Sequence, residues 1–387
     1  GSVTVNTGST TQQPSYSYIN TSGDQSQAII AQSITNGGGV AKVVQNALTP
    51  GAFFNVTPTQ SANSAGASAS AQANNGLAFA VTMGSNSDNG ANSSVVTVNS
   101  SNVINTTGMR SAAIVAQSIS GGGGIVDLTF NNLNSGNFAG SVTMGGVTPG
   151  QVGAVNVTSN FGIVTGNSKN SGIFADGVIA QSITYGGGSF GLVHQTSASA
   201  GNGSLDFLLG AINMGTSVNA QPVTVTVTDI TTSGYGASAV TAQSIGGGGG
   251  LLGYYVPQGS ISGSGTLGGY GNGHGSDGSQ VTVTVNGYIT TNADMSPMIV
   301  AQSIGGGGGK SVSGLIASSP DLSLVIPYVG ISISSGNTQA SSTNSKSGFD
   351  ASDLSTDITT VSSWLAGSLG AIHLGAFSDN KKSNGGT

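Results

Sequence analysis

Short runs of strict apolar–polar alternation recur along the chain: Val3-Thr4-Val5, Val96-Thr97-Val98, Val155 to Thr158, Val223 to Thr228 and Val281 to Val285. Period-two alternation marks a strand with one buried face. Val is therefore expected toward a core and Thr toward solvent or a neighbouring layer. A second kind of run has no polar side. Ile299-Val300-Ala301-Gln302-Ser303-Ile304 sets Ile, Ala and Ser on one face and Val, Gln and Ile on the other. A strand with two mostly apolar faces is expected to be covered on both.

The tetrapeptide Ala-Gln-Ser-Ile inside that second run occurs five times, with Gln32, Gln117, Gln181, Gln243 and Gln302 at spacings of 85, 64, 62 and 59 residues. Each copy is followed by a glycine run beginning at Gly37, Gly121, Gly186, Gly246 or Gly305. A third feature keeps step, an apolar segment ending in Met-Gly or Leu-Gly: Met83-Gly84, Met144-Gly145, Met214-Gly215, Leu267-Gly268 and Leu374-Gly375. The spacing from each motif Gln to that glycine is 52, 28, 34, 25 and 73 residues. From the glycine to the last Val of the next Val-Thr run it is only 14, 12, 12 and 17. Length variation thus falls after the glycine run, where surface loops tolerate it. Residues 41–78 and 316–366 are candidate outward excursions.

Internal repeats with this order predict an all-β chain, a β-solenoid or parallel β-helix of five degenerate repeats with glycine-rich turns. The expected repeats are residues 1–94, 95–154, 155–222, 223–280 and 281–387, the last carrying the insertion at 316–366. A row of β-sandwich modules is the alternative. Equivalent glutamines on stacked rungs can form an amide ladder. Glycine in a regular element costs roughly 0.5–1 kcal/mol relative to Ala. A run kept in every repeat therefore points to something that excludes a Cβ, either close backbone stacking between rungs or a tight bundle of polyproline-II-like glycine segments; a flexible glycine linker is the alternative. The chain opens on a Val-Thr run and stops at Gly385-Gly386-Thr387. This arrangement is expected of a five-repeat window from a longer array, or of a subunit joining head to tail.

Composition narrows the function classes. Charged residues make up 5% of 387, all 13 acids are Asp, Arg110 is the sole Arg, and 66 residues are Gly. Scarce Glu, Lys and Arg disfavour helices, and glycine without a three-residue period excludes collagen. The net charge of −6 argues against a nucleic-acid partner, which needs basic patches. No apolar run reaches the roughly 18 residues of a membrane span. Cysteine is absent.

Ile-Val-Ala-Gln-Ser-Ile followed by five glycines (residues 299–309), with Val-Thr strands between copies, resembles the glycine-rich passenger repeats of large bacterial autotransporter-like surface proteins. The resemblance runs through nearly the whole chain. It implies export across the outer membrane, a parallel β-helical passenger, and a role in adhesion, aggregation or biofilm. No segment looks like the membrane-inserted translocator barrel of such proteins.

Candidate chemistry is thin. His194, His274 and His373 have no metal-ligand spacing, and His373 reads as the variable strand position also held by Thr82, Thr143 and Asn213. Ser is abundant, but Gly263-Ser264-Gly265 lacks the acid and His partners of a nucleophile. Asp350, Asp353 and Asp357 cluster in one repeat only; the expectation there is a short capped helical turn, with Asp at its start and Trp364-Leu365 packing on the solenoid. Gly273-His274-Gly275-Ser276-Asp277 is a single partial match to a calcium nonapeptide, with Ser279 where an apolar residue is expected, so no cofactor is expected. Gly309-Lys310-Ser311 lacks the strand–helix setting of a phosphate loop.

The expectation is a non-enzymatic, extracellular structural component of a bacterial fibre or cell-surface adhesin. Its partners would be copies of itself, adjacent repeats of the same chain, and host or abiotic surfaces. In the alternative, the loop insertions recognise a surface or glycan and the solenoid is a spacer. A Thr-rich ice-binding face is a variant of that alternative; it requires Thr ranks in register on successive rungs, which the variable gaps put in question. A glycan lyase on a β-helix would need a charged groove.

Overall fold

The computed structural model describes residues 1–8, 17–45, 53–56, 77–84, 90–131, 138–146, 150–168, 171–195, 201–211, 217–256, 259–262, 265–268, 276–315, 323–326, 331–334 and 372–374. Among them no helix occurs, and the strands stack as a parallel β-solenoid of five rungs. Each rung contributes one strand to each of five sheets, except that the first and fourth add a second, Phe53–Val56 and Gly259–Ser262, to one of them.

The Val-Thr sheet consists of Val3–Thr7, Val96–Ser100, Val155–Ser159, Val223–Val227 and Val281–Val285, paired in that order. Val is buried or half-buried and Thr or Asn points outward at every rung. The outward positions line up as two columns. One holds Thr4, Thr97, Asn156, Thr224 and Thr282; the other holds Asn6, Asn99, Thr158, Thr226 and Thr284. A bend after each strand leads to a short second sheet: Tyr18–Thr21, Val103–Thr106, Ile163–Thr165, Ile230–Thr232 and Ile289–Thr291.

The third sheet carries the Ala-Gln-Ser-Ile motif on Ile29–Ile34, Ile114–Ile119, Val178–Ile183, Val240–Ile245 and Ile299–Ile304. In the three middle rungs every residue of this strand is buried. The last rung, Ile299–Ile304, is half-exposed because it forms the sheet's edge. The glycine sheet follows: Gly38–Gln45, Gly123–Asn131, Gly187–Gln195, Gly249–Val256 and Gly308–Leu315. An outer sheet closes each rung, with Leu77–Met83, Phe138–Met144, Gly201–Leu209, Gly265–Leu267 and Ile372–Leu374.

Two large apolar cores result, with smaller clusters beside them. Val and Ile of the first two sheets meet the Ala side of the motif strands, around Val98, Ile104, Ile114 and Ala116. The glycine and outer sheets meet through Phe79, Val126, Leu128, Phe130, Phe190 and Leu209. Neither face is buried until rungs stack, so stacking supplies the hydrophobic driving force.

The register corrects the sequence reading twice. Met144 pairs with Leu209, and Leu209 with Leu267. The third repeat's apolar-Gly element is therefore Leu209-Gly210, not Met214-Gly215, which lies outside the described residues. His373 does align with Thr82, Thr143 and Thr266, but the third-rung member is Leu208, not Asn213. Second, the segment just after each glycine run is a strand of eight or nine residues, not the start of a loop. The first excursion therefore leaves after Gln45 rather than at residue 41. Phe53–Val56 within it returns to pair with the first strand of the outer sheet. In the second, Ser323–Ile326 and Ile331–Ser334 form an antiparallel hairpin.

Candidate functional site: the glutamine and glycine spine

Every letter of Ala-Gln-Ser-Ile has a placed role. Side chains alternate across a strand, so Ala and Ser face the Val-Thr sheet while Gln and Ile face the glycine sheet. Ala31, Ala116, Ala180 and Ala242 are buried in the first core. Ile34, Ile119, Ile183, Ile245 and Ile304 form a column of their own.

The glutamines form a continuous ladder. Nε2 of Gln32 donates to Oε1 of Gln117, Gln117 to Gln181, Gln181 to Gln243, and Gln243 to Gln302, each at 2.7 Å. The same Nε2 atoms lie 3.3–3.5 Å from the carbonyls of Gly39, Gly124, Gly188 and Gly250 of their own rungs. Each amide thus ties its rung to the next and its strand to the following one. Gln117, Gln181 and Gln243 are fully buried, where a partnerless amide would carry a large desolvation cost.

The serines do a third job. Ser118 Oγ donates to Ser94 O at 3.0 Å and accepts from Gly153 N–H at 2.9 Å. Ser182 repeats this with Gly153 O and Gln221 N–H, and Ser244 with Gln221 O and Ser279 N–H. Ser33 does so with Gly1 O and Ser94 N–H. Each hydroxyl therefore bridges the entry to its own rung's Val-Thr strand and the entry to the next. The fixed place of serine within the repeated tetrapeptide is the signal for this role in the sequence. Ser182→Ala is expected to cost about 1–3 kcal/mol by stranding the buried Gly153 carbonyl and the part-buried Gln221 N–H, read as a lowered urea midpoint against Ser22→Ala at an exposed site.

The glycine runs align by their ends, not their beginnings. Gly37, Gly121, Gly186, Gly246 and Gly305 open the runs but do not share one register position. Gly39, Gly124, Gly188, Gly250 and Gly309 do, each seven residues after its Gln. The four positions ending there all have positive φ. The first two lie at 64–91°, and Asn36 and Tyr185 are accommodated at the first of them. The last two lie at 121–152° and are Gly in all five rungs, a region essentially closed to other residues. Contact reinforces conformation. A Cβ on Gly123 would stand 2.0 Å from Gly187 O, and one on Gly187 1.9 Å from Gly249 O. The next position points the opposite way, with Gly188 2.2 Å from Gly124 O.

Buried charges occupy one side of the spine. The Arg110 guanidinium binds Asp127 at 2.6 Å and Ser189 at 3.1 Å, and Gln27 donates to the other Asp127 oxygen at 2.6 Å. Farther along, Lys310 Nζ hydrogen-bonds Ser238 Oγ, and the Ser238 N–H donates to Asp176. Burial pushes Asp176 above the usual carboxylate range and Lys310 below the usual amine range, each opposed by the other's charge. A Ser-Lys pair can serve as nucleophile and base. Here Ser238, Asp176 and Lys310 are all buried, spread over three successive rungs, so their placement is that of a cross-rung tie.

Of the histidines, His274 lies outside the described residues, as do Gly273, Gly275, Asp350, Asp353, Asp357, Trp364 and Leu365. His194 is buried on the face of its strand that carries Phe190 and Leu192, and desolvation pulls it from 6.5 to about 4. The fold thus favours the neutral ring. Below about pH 6.5 the unfolded chain takes up a proton that the fold refuses. The His194 contribution to stability should fall by up to about 3 kcal/mol between pH 6.5 and 4, then level off. The loss of urea midpoint between pH 7 and 4.5 should shrink in His194→Phe; an unchanged loss contradicts the assignment.

Among the described residues no three His or Asp side chains gather as a metal site, and no helix is long and apolar enough to cross a membrane. No family model, no curated protein and no solved structure matches the chain.

Proposed function

We propose that this chain is a non-catalytic structural element of an extracellular bacterial fibre or cell-surface adhesin. One observation carries the reading: the side chains repeated at every rung are committed to holding rungs together. Gln bridges forward, Ser clamps strand entries, Ala and Ile fill the cores, and Gly permits backbone contact. The low charge and the resemblance to passenger repeats support an exported setting, with neighbouring rungs or other copies as partners. The glutamine ladder has a direction, so Gln302 of one copy would donate to Gln32 of the next. Electron microscopy of the full chain is the test. Five rungs at about 4.8 Å span roughly 24 Å, so filaments of uniform width with that axial repeat are expected. Separate squat particles at high concentration would overturn self-assembly.

A second reading has its own support. The two longest stretches between the glycine sheet and the last strand of the outer sheet in a rung, residues 46–76 and 316–371, fall at the same step of the first and fifth rungs. That placement suits an adhesin whose insertions meet a surface or glycan. Removal of residues 320–360 should then abolish adhesion of displayed protein while its surface level is unchanged. Adhesion that survives the deletion sinks this reading.

A further inference from the structure

The outward columns of the Val-Thr sheet remain without a role in the spine. They are Thr or Asn at all ten positions, and every one is exposed or half-exposed. The register keeps them in rank although the repeats differ in length: Asn156 pairs with Thr224 and Thr224 with Thr282, while Thr158 pairs with Thr226 and Thr226 with Thr284. The length differences are absorbed elsewhere, chiefly between the glycine and outer sheets. The five strands pair residue for residue in parallel without a bulge, so each rung repeats the placement of the one before it. The face is therefore a two-dimensional lattice, about 4.8 Å between rungs and about 6.6 Å between outward residues of a strand.

We propose that this face binds ice. Three features select an ordered water lattice over other occupants. The ten positions carry no charge, which disfavours ionic minerals and anionic lipid. They carry no aromatic ring, the platform on which sugar faces stack. They form no cavity but a regular array whose hydroxyls and amides can each hold a water, with Thr methyls between them. In the second column Asn99 Nδ2 donates to Asn6 Oδ1 at 2.9 Å, which fixes the orientation of both amides. A lattice ligand rewards repetition, since each rung adds the same contact without a further loss of orientational freedom. This inference does not depend on self-assembly.

The test is nanolitre osmometry on the full chain beside Thr158→Tyr/Thr226→Tyr and the control Asp206→Tyr, whose substitution lies on the outer sheet. Wild type and control should facet ice and depress freezing below melting. The double variant should lose that gap while its urea midpoint stays within error of wild type. Wild-type protein that leaves ice growth unaltered overturns the proposal. So does a double variant as active as wild type, which would move ice binding to another face. Retention on crystalline cellulose by protein inert toward ice would assign the lattice to a polysaccharide instead.

Discussion

Gly187→Ala should unfold the middle of the solenoid, whereas Gly39→Ala should only weaken its first rung. Both glycines lie in the φ region that L-residues avoid, at 121° and 126°. Strain alone costs of order 1–3 kcal/mol at such a position. At Gly39 nothing lies within 4 Å of the added methyl, so strain is the whole penalty. At Gly187 the methyl would also stand 1.9 Å from Gly249 O, a backbone atom held in its own ladder. Relief requires the third and fourth rungs to separate, and with them the hydrogen bonds from Gly187 through Val193. The expected cost exceeds about 5 kcal/mol, the scale of a marginal fold. Hydrogen exchange resolved by segment is the right readout, because stacked repeats open locally. Gly187→Ala should expose amides of residues 178–195 and 240–256 together. Gly39→Ala should affect residues 29–45 alone. Equal effects at both sites would mean that conformation, not rung contact, keeps these positions glycine.

The elements that could be read from the sequence are those where one chemical demand recurs unchanged. Val-Thr alternation recurs because the same core lies under it at each rung, and Gln recurs because a ladder tolerates no gap. The Ile-x-Thr strands escaped because three or four residues are too few to show a period. Yet Thr106 and Thr232 there each close the following bend by donating to a carbonyl. The glycine-sheet strands escaped for the opposite reason. Their loop-facing side chains are individually fitted: Lys42, Asp127, Gly191, Gly253 and Val312 share one register column. Arg110 occupies the space that a side chain at Gly191 would need. Such complementarity leaves no repeat. Nor could sequence choose between Leu209-Gly210 and Met214-Gly215, two apolar-Gly pairs five residues apart; only the pairing of Met144 decides.

Gln181→Leu should destabilise by about 2–4 kcal/mol, more than its change in polarity suggests. The substitution removes two bonds of 2.7 Å and leaves buried groups behind: Nε2 of Gln117 keeps only its long contact to Gly124 O, and Oε1 of Gln243 loses its donor. Each stranded group carries its own desolvation cost of about 1–3 kcal/mol. The glutamine is not intrinsically superior to an aliphatic residue here; it is locked in by its neighbours. Converting all five glutamines to Leu should therefore cost less per site than converting Gln181 alone, since no amide is left without a partner. A protein with five leucines would extend the apolar column that Ile183 and Ile245 already form. Its weakness should be in specificity, because apolar contacts slide where amide pairs do not. Urea titration compares the two costs, and hydrogen exchange of the Val-Thr strands tests the register. If the five-site variant loses five times what Gln181→Leu loses, the ladder is a sum of independent bonds. If it loses little but exchanges broadly, the glutamines are there to fix which rung sits on which, the property a repeat of near-identical strands most needs.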